Sequence, residues 1–193
     1  MIMTKKKKND IPHWLNLALR GTLCWIGWRR AFYRMYNLVE GAIVAETCNI
    51  IAANLGDDQR LICEKLYKEI NPKFPIGKSP RADLAIVKKK KKDTIVTHVI
   101  EVKRYSSQKI LDDVKRLGEL KLLNPDIKTY LLVFSENERP SDYVTENGCA
   151  VRNVFEYKVG KSECEYKVRR VVKMRHAFTK KEHAHYACVL EVL

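Results

Sequence analysis

The spacing of apolar positions changes period several times along this chain, and each change marks an element. From Pro12 to about Tyr36, large rings and arginines crowd a segment that reads as helical: Trp14, Trp25, Trp28, Arg29, Arg30, Phe32, Tyr33 and Arg34. Gly21 and Gly27 are candidate interruptions of that helix. Leu38 to Asn54 predicts a second helix, whose small residues Gly41, Ala42, Ala45, Ala52 and Ala53 suit close approach to a sheet. One of its rows runs Val39, Ile43, Glu46, Ile50, Ala53, apolar except for the carboxylate in the middle. A further helical turn or two is expected between Asp57 and Ile70, before Pro72 and Pro75 break the chain.

Beyond the prolines the pattern becomes strand-like. Ala82 to Val87 and Thr94 to Lys103 are rich in β-branched side chains and predict two strands joined by a lysine run, Lys88 to Lys92. Ser106 to Leu123 returns to a helical period, with Ile110, Val114, Leu117 and Leu120 or Lys121 as its inner row and Asn124-Pro125 as its stop. Thr129 to Phe134, "TYLLVF", is nearly continuous apolar sequence and predicts a strand buried on both faces. Strand-like pieces follow Gly148 at Ala150–Tyr157, Tyr166–Met174 and Ala187–Val192. This order predicts an α/β fold, a mixed β-sheet flanked by helices. With no internal repeat and no Gly/Ser/Pro-rich linker, residues 1–193 read as a single domain. Residues 1–10 read as a disordered basic tail, and residues 11–36 as an aromatic, arginine-rich helical N-terminal segment.

Charge narrows the function classes. The chain carries 37 Lys+Arg against 23 Asp+Glu, a formal net charge of +14. Such a balance points to a polyanionic partner, nucleic acid first and an anionic membrane surface second. The Trp/Arg-rich N-terminus keeps a membrane-surface helix open, although packing against the fold or a partner subunit is the commoner use of such rings. The lysine-rich start resembles the head of a signal peptide, but His13, Asn16 and Arg20 break the apolar stretch after it. No window is long and apolar enough for a membrane span, so a soluble, cytoplasmic protein is expected. Six cysteines, none in a Cys-x-x-Cys pair and most among apolar neighbours, are expected to be reduced and mostly buried, which argues against structural zinc. His176, His183 and His185 read as solvated residues of a polar loop.

The candidate chemistry lies in the hairpin. If its turn centres on Lys92, Asp83 lies directly opposite Glu101, and alternation puts Glu101 and Lys103 on one face with Val102 on the other. Facing carboxylates are costly unless a cation bridges them, and oxygen ligands with only one or two carboxylates suit Mg²⁺. The alternative is a solvated hairpin, in which Glu101 and Lys103 form a surface ion pair of little worth. The apolar settings "ADLAIV" and "VIEV" favour the first reading.

"RADLAIV…HVIEVKR", followed by a helix and "TYLLVF", resembles the PD-(D/E)XK nuclease superfamily, the restriction-endonuclease-like fold, over roughly Glu40 to Ser135. Ala82 stands where the family name has a proline. The resemblance implies metal-dependent phosphodiester hydrolysis. Asp83 and Glu101 would ligate Mg²⁺, with the Val102 carbonyl as a further ligand and Mn²⁺ as a substitute ion. Lys103 would orient a water or stabilise charge on the phosphoryl oxygens. An upstream helical acid often joins such sites, and Glu46 is the choice here, with Glu40 and Glu64 as rivals. Arg81, Lys88, Lys89, Lys90, Lys91, Lys92, Arg104 and Lys109 are candidate DNA contacts, together with Lys115 and Arg116. The function expected is that of a Mg²⁺-dependent DNA endonuclease, a type II restriction enzyme or a subunit of one, acting as a homodimer or with a partner subunit. A structure-specific repair or junction nuclease is the alternative within the class. A non-catalytic nucleic-acid-binding module of the same fold is the alternative outside it.

Overall fold

The computed structural model describes residues 11–33, 38–75, 80–90, 93–105, 107–136, 138–160, 162–175 and 184–193. Expectations for Lys91, Lys92, His176, His183, the Lys109 side chain and the N-terminal tail lie outside that set. In chain order the elements are α1 (His13–Tyr33), α2 (Glu40–Ala52), β1 (Gln59–Leu66), α3 (Tyr67–Ile70), β2 (Arg81–Lys90) and β3 (Asp93–Arg104). There follow α4 (Ser107–Leu123), β4 (Lys128–Ser135), β5 (Val154–Val159), β6 (Ser162–Arg175) and β7 (Ala184–Val192). The strands form one mixed seven-stranded sheet in the order β1-β2-β3-β4-β7-β6-β5. Only β3 and β4 run parallel, and α4 supplies the crossover that a parallel neighbour requires.

The sheet is buried on both faces. Against one face lie α4 and Tyr67, with Ala82, Val99, Leu131, Val133, Cys188 and Leu190 from the strands. Against the other lie α1 and α2, with Leu84, Ile86, Ile100, Val102, Leu132 and Phe134. Consecutive residues of β4 alternate between these two cores, which is why "TYLLVF" carries no polar face. The predicted inner row of α4 is realised, since Ile110, Val114, Leu117 and Leu120 are fully buried. Lys121 instead closes that helix, its ammonium donating to the carbonyls of Pro125 at 2.7 Å and Ile127 at 3.0 Å.

Three expectations are corrected. The segment read as helical between Asp57 and Ile70 is the edge strand β1 followed by the single turn α3. Its Leu, Glu and Lys favour helix intrinsically, but pairing of Gln59–Leu66 with β2 outweighs that preference. α1 runs through Gly21 and Gly27 without interruption, because each glycine makes room for a neighbour: Ile50 beside Gly21, Met174 and His185 beside Gly27. In α2 the buried row is Ile43, Thr47 and Ile51, whereas Val39 is exposed. The helix is rotated so that Thr47 meets Thr22 of α1, their hydroxyls 3.1 Å apart and fully buried.

Glycine substitutions test this packing with opposite signs. A Cβ at Gly41 of α2 would meet nothing within 4 Å, so Gly41→Ala should stabilise by roughly 0.5–1 kcal/mol through helix propensity. A Cβ at Gly118 of α4 would collide with the Tyr157 hydroxyl and approach its ring carbons to 3.0 and 3.1 Å. Overpacking of that kind costs about 1–3 kcal/mol and exceeds the propensity gain, so Gly118→Ala should destabilise. Denaturant midpoints of the two variants should move in opposite directions.

Candidate active site

The hairpin register near its base is the one the sequence predicts. Ile86 faces His98, Ala85 faces Val99 and Leu84 faces Ile100, which leaves Asp83 next in line opposite Glu101. A register shift between Ile86 and Val87 then moves the outer half by one residue, and β2 continues to Lys90. Lys88 to Lys90 are therefore strand residues. They lie five to seven positions along β2 from Asp83, roughly 17–23 Å away at strand rise, so they do not stand beside the acids.

β2 and β3 part company at the acidic step. Beyond Leu84, β2 stays with β1, Ala82 pairing with Lys65 and Arg81 with Leu66, while β3 stays with β4. Side-chain oxygens fill the gap this leaves. The Val102 N–H donates to Asp83 Oδ2 at 2.8 Å, and the Asp83 N–H points at Glu101 Oε2 at 3.5 Å. The Tyr67 hydroxyl donates to Glu101 Oε1 at 2.6 Å. Across from Asp83, between the Cys63–Leu84 and Lys65–Ala82 pairs, Glu64 takes a left-handed φ of 53°. For a non-glycine residue that costs on the order of 1–2 kcal/mol. The Glu64 side chain is exposed, and this rival does not enter the site.

Glu101 is the electrostatic centre of the site. It is only 1% exposed, and burial, then the nearby Asp83 charge, push its carboxyl up to about 8. The Tyr67 hydrogen bond and the Arg116 charge pull the other way without overcoming those two causes. Tyr67 itself is held well above its ordinary value by burial and by Glu101.

Lys103 stands two residues further along β3, and its Nζ lies 2.7 Å from Glu40 Oε1 and 3.6 Å from Asp113 Oδ2. The second Glu40 oxygen accepts from the Arg104 N–H at 3.3 Å. The upstream acid in contact with the E-x-K segment is thus Glu40, at the first turn of α2. Glu46, the choice from sequence, lies half-buried on the flank of α2 and makes no ion pair with Lys103. A carboxylate inside an apolar row marks the face of a helix, but only the docking of α2 decides which end of it reaches β3. Asp113 carries no motif. Its signals were a position beside the inner row of α4 and an arginine three residues on, Arg116, with which it is ion-paired. Nor did any local pattern single out Tyr67.

The basic residues divide. Lys89, Lys90 and Lys115 are exposed, while Lys88 is ion-paired with Asp58 at 2.8 Å. Arg81 is exposed at the start of β2, where it reaches the Glu64 carbonyl at 3.5 Å. Arg104, expected to face phosphate, has its guanidinium 3.3 Å from the buried Glu136 carboxylate. His185 is no loop residue, since it lies in β7 and is fully buried. Of the cysteines only Cys164 and Cys188 are buried. Cys24 and Cys48 lie on helices that turn one side outward, Cys63 is on the edge strand β1 and Cys149 is outside the strands and helices, so apolar sequence neighbours alone do not bury a thiol.

The donor set suits a hard cation. Two carboxyl groups are forced together where one of them is almost fully buried, so that a bound cation would favour the ionised form of both, and the Val102 carbonyl belongs to the same step of β3. Among the described residues no group of three or more His, Cys, Asp or Glu is arranged to hold a metal. An ion at Asp83 and Glu101 would therefore keep several waters, the habit of Mg²⁺ rather than of structural zinc. Among the same residues no helix is long and apolar enough to cross a membrane. Compared with models of known protein families the chain matches none, and comparison with curated proteins finds no match. Fold and site define the class as a mixed α/β protein with a paired-carboxyl step and a nearby acid-held lysine at the splayed base of a hairpin.

The proton on Glu101 makes metal-free stability depend on pH. Below about pH 4.5 both folded and unfolded chains hold it; between 4.5 and about 8 only the folded chain does. Stability should fall as pH rises through that window and level off above it, because there the unfolded state binds fewer protons. Glu101→Gln removes the ionisation, so in a chelator this variant should melt higher than the parent at pH 8 and nearly level with it at pH 4.5. Thermal melts across pH check the difference.

Proposed function

We propose that the chain is a Mg²⁺-dependent DNA endonuclease, a type II restriction enzyme or a subunit of one. The observation that carries this reading is the Asp83–Glu101 pair at the parting of β2 and β3, with Lys103 on the same strand held by Glu40 and Asp113. Two acids meet at this step, and two residues further along β3 an ammonium group is held by acids from both faces of the sheet, an arrangement that burial of apolar surface does not require. Replacing Glu101 with a neutral residue would relieve the cost of its burial. The succession of α2, the β2–β3 hairpin, α4 and the parallel β4 is also the order that the nuclease resemblance implies.

Asp83 and Glu101 would hold the ion, which supplies positive charge to the scissile phosphate and lowers the pKa of a bound water. Tyr67 fixes the rotamer of Glu101 through its 2.6 Å hydrogen bond, so that Oε2 stays turned towards Asp83. Glu40 and Asp113 fix the Lys103 ammonium at the end of β3, where a compact cation positions a water or meets charge developing on phosphoryl oxygens. Exposed Lys89 and Lys90, along β2, give sequence-independent and salt-sensitive attachment to the duplex several base pairs from the cut.

Plasmid DNA incubated with the protein should be cut with Mg²⁺ or Mn²⁺ and left intact in EDTA. Asp83→Ala, Glu101→Gln and Lys103→Ala should each lose at least about 100-fold in rate. Glu40→Gln should lose roughly 10–100-fold as a positioning residue, while Glu46→Gln should cut like the parent. Undiminished cutting by the Lys103 variant removes that residue from the mechanism, and DNA binding without cutting under any metal favours the binding-module reading. Discrete bands mark a sequence-specific enzyme, and cleavage confined to branched substrates marks the repair-type alternative.

A further inference from the structure

Cys48 on α2 and Cys63 on β1 bring their sulfurs to 3.4 Å, although they stand fifteen positions apart in sequence. Both are free thiols, Cys63 exposed and Cys48 half-buried. Sulfur contact alone is common. What sets this pair apart is that a disulfide needs about 2.05 Å, so closure asks the two side chains to share a movement of about 1.4 Å. The pair also borders the acidic notch, since Cys63 faces Leu84 across the ladder, next to Asp83. Burial first, then Cys63 and Asp83, push the Cys48 thiol up to about 12, which leaves the exposed Cys63 as the sulfur that meets a reagent from solution.

We propose that Cys48 and Cys63 form an oxidisable dithiol site for small hydroperoxides, whose product is a disulfide joining α2 to β1. Cys63 Sγ, as thiolate, attacks one peroxide oxygen: an S–O bond forms, the O–O bond breaks, and the departing oxygen leaves as water after taking a proton. Cys48 Sγ then attacks the Cys63 sulfur. The S–S bond forms, the S–O bond breaks, and the hydroxyl leaves as a second water with the Cys48 proton. Two thiols lose two electrons and one hydrogen peroxide gains them. The site does not depend on the nuclease reading, because it needs only the contact between α2 and β1.

The purified, reduced chain is treated with one equivalent of hydrogen peroxide. The expected result is a loss of two titratable thiols, a mass lower by two hydrogens, and a dithiothreitol-sensitive peptide containing both Cys48 and Cys63. The melting temperature should rise by about 5–10 °C, because the bond closes a short loop of the unfolded chain. In Cys48→Ser the reaction should stop at the sulfenic acid, trapped by dimedone on Cys63. Oxidation of Cys63 to sulfinic acid with Cys48 still titratable overturns the proposal. So does a cross-link that instead joins the exposed Cys24 or Cys149, or one that leaves the melting temperature unchanged. Should Cys48→Ser fail to fold, the thiol count and peptide map of the parent chain decide alone.

Discussion

Glu101 is a carboxylate on a strand between two hydrophobic cores, placed opposite another carboxylate, and much of the surrounding structure is arranged around that cost. In a regular ladder the Ala82 carbonyl would take up the Val102 N–H. Here the strands part, and Asp83 Oδ2 accepts that proton instead. Tyr67, at the turn where β1 becomes α3, gives Glu101 a short hydrogen bond from the α4 side of the sheet. The left-handed Glu64 kinks β1 next to the same step. Together these features keep an acid in a place from which a neutral side chain would be easier to bury. That is the arrangement expected of a site rather than of a core.

The second organising feature is topological. α2 covers one face of the sheet and α4 the other, yet a carboxylate from each reaches Lys103. This is possible only at the carboxyl end of β3, where the sheet gives out and both faces are within reach of one long side chain. The parallel crossover brings α4 back past that end, and the first turn of α2 starts beside it. Glu40 also accepts the Arg104 N–H, so a single side chain anchors both the ammonium and the backbone that carries it. The basic surface is more dispersed than the acidic site. Lys88, Arg104 and Arg116 are engaged by Asp58, Glu136 and Asp113, which leaves Lys89, Lys90, Arg81 and Lys115 as exposed cations near the hairpin and α4.

Sequence and tertiary structure divide the rest between them. That Asp83 and Glu101 share one end of a hairpin was legible because a hairpin is local, but the turn does not centre on Lys92: Lys90 pairs with Asp93, and only the one-residue shift between Ile86 and Val87 brings Asp83 into line with Glu101. β4 and the inner row of α4 were legible for the same reason, since unbroken apolar sequence or a clean helical period is decided by each segment's own burial. The conformation of Gln59–Leu66, the choice of Glu40 over Glu46, the roles of Tyr67 and Asp113, and the meeting of Cys48 with Cys63 were not legible. Each depends on how one element docks against another, through the pairing of an edge strand, the rotation of α2 set by Thr22 and Thr47, or the approach of α2 to β1. Local pattern carries the two acids and the lysine because neighbouring residues impose them. Only the packed fold selects what holds them, because Tyr67 and Glu40 stand 34 and 63 positions from their partners, and even Asp113, nearer in sequence, reaches Lys103 only once α4 is folded back beside β3.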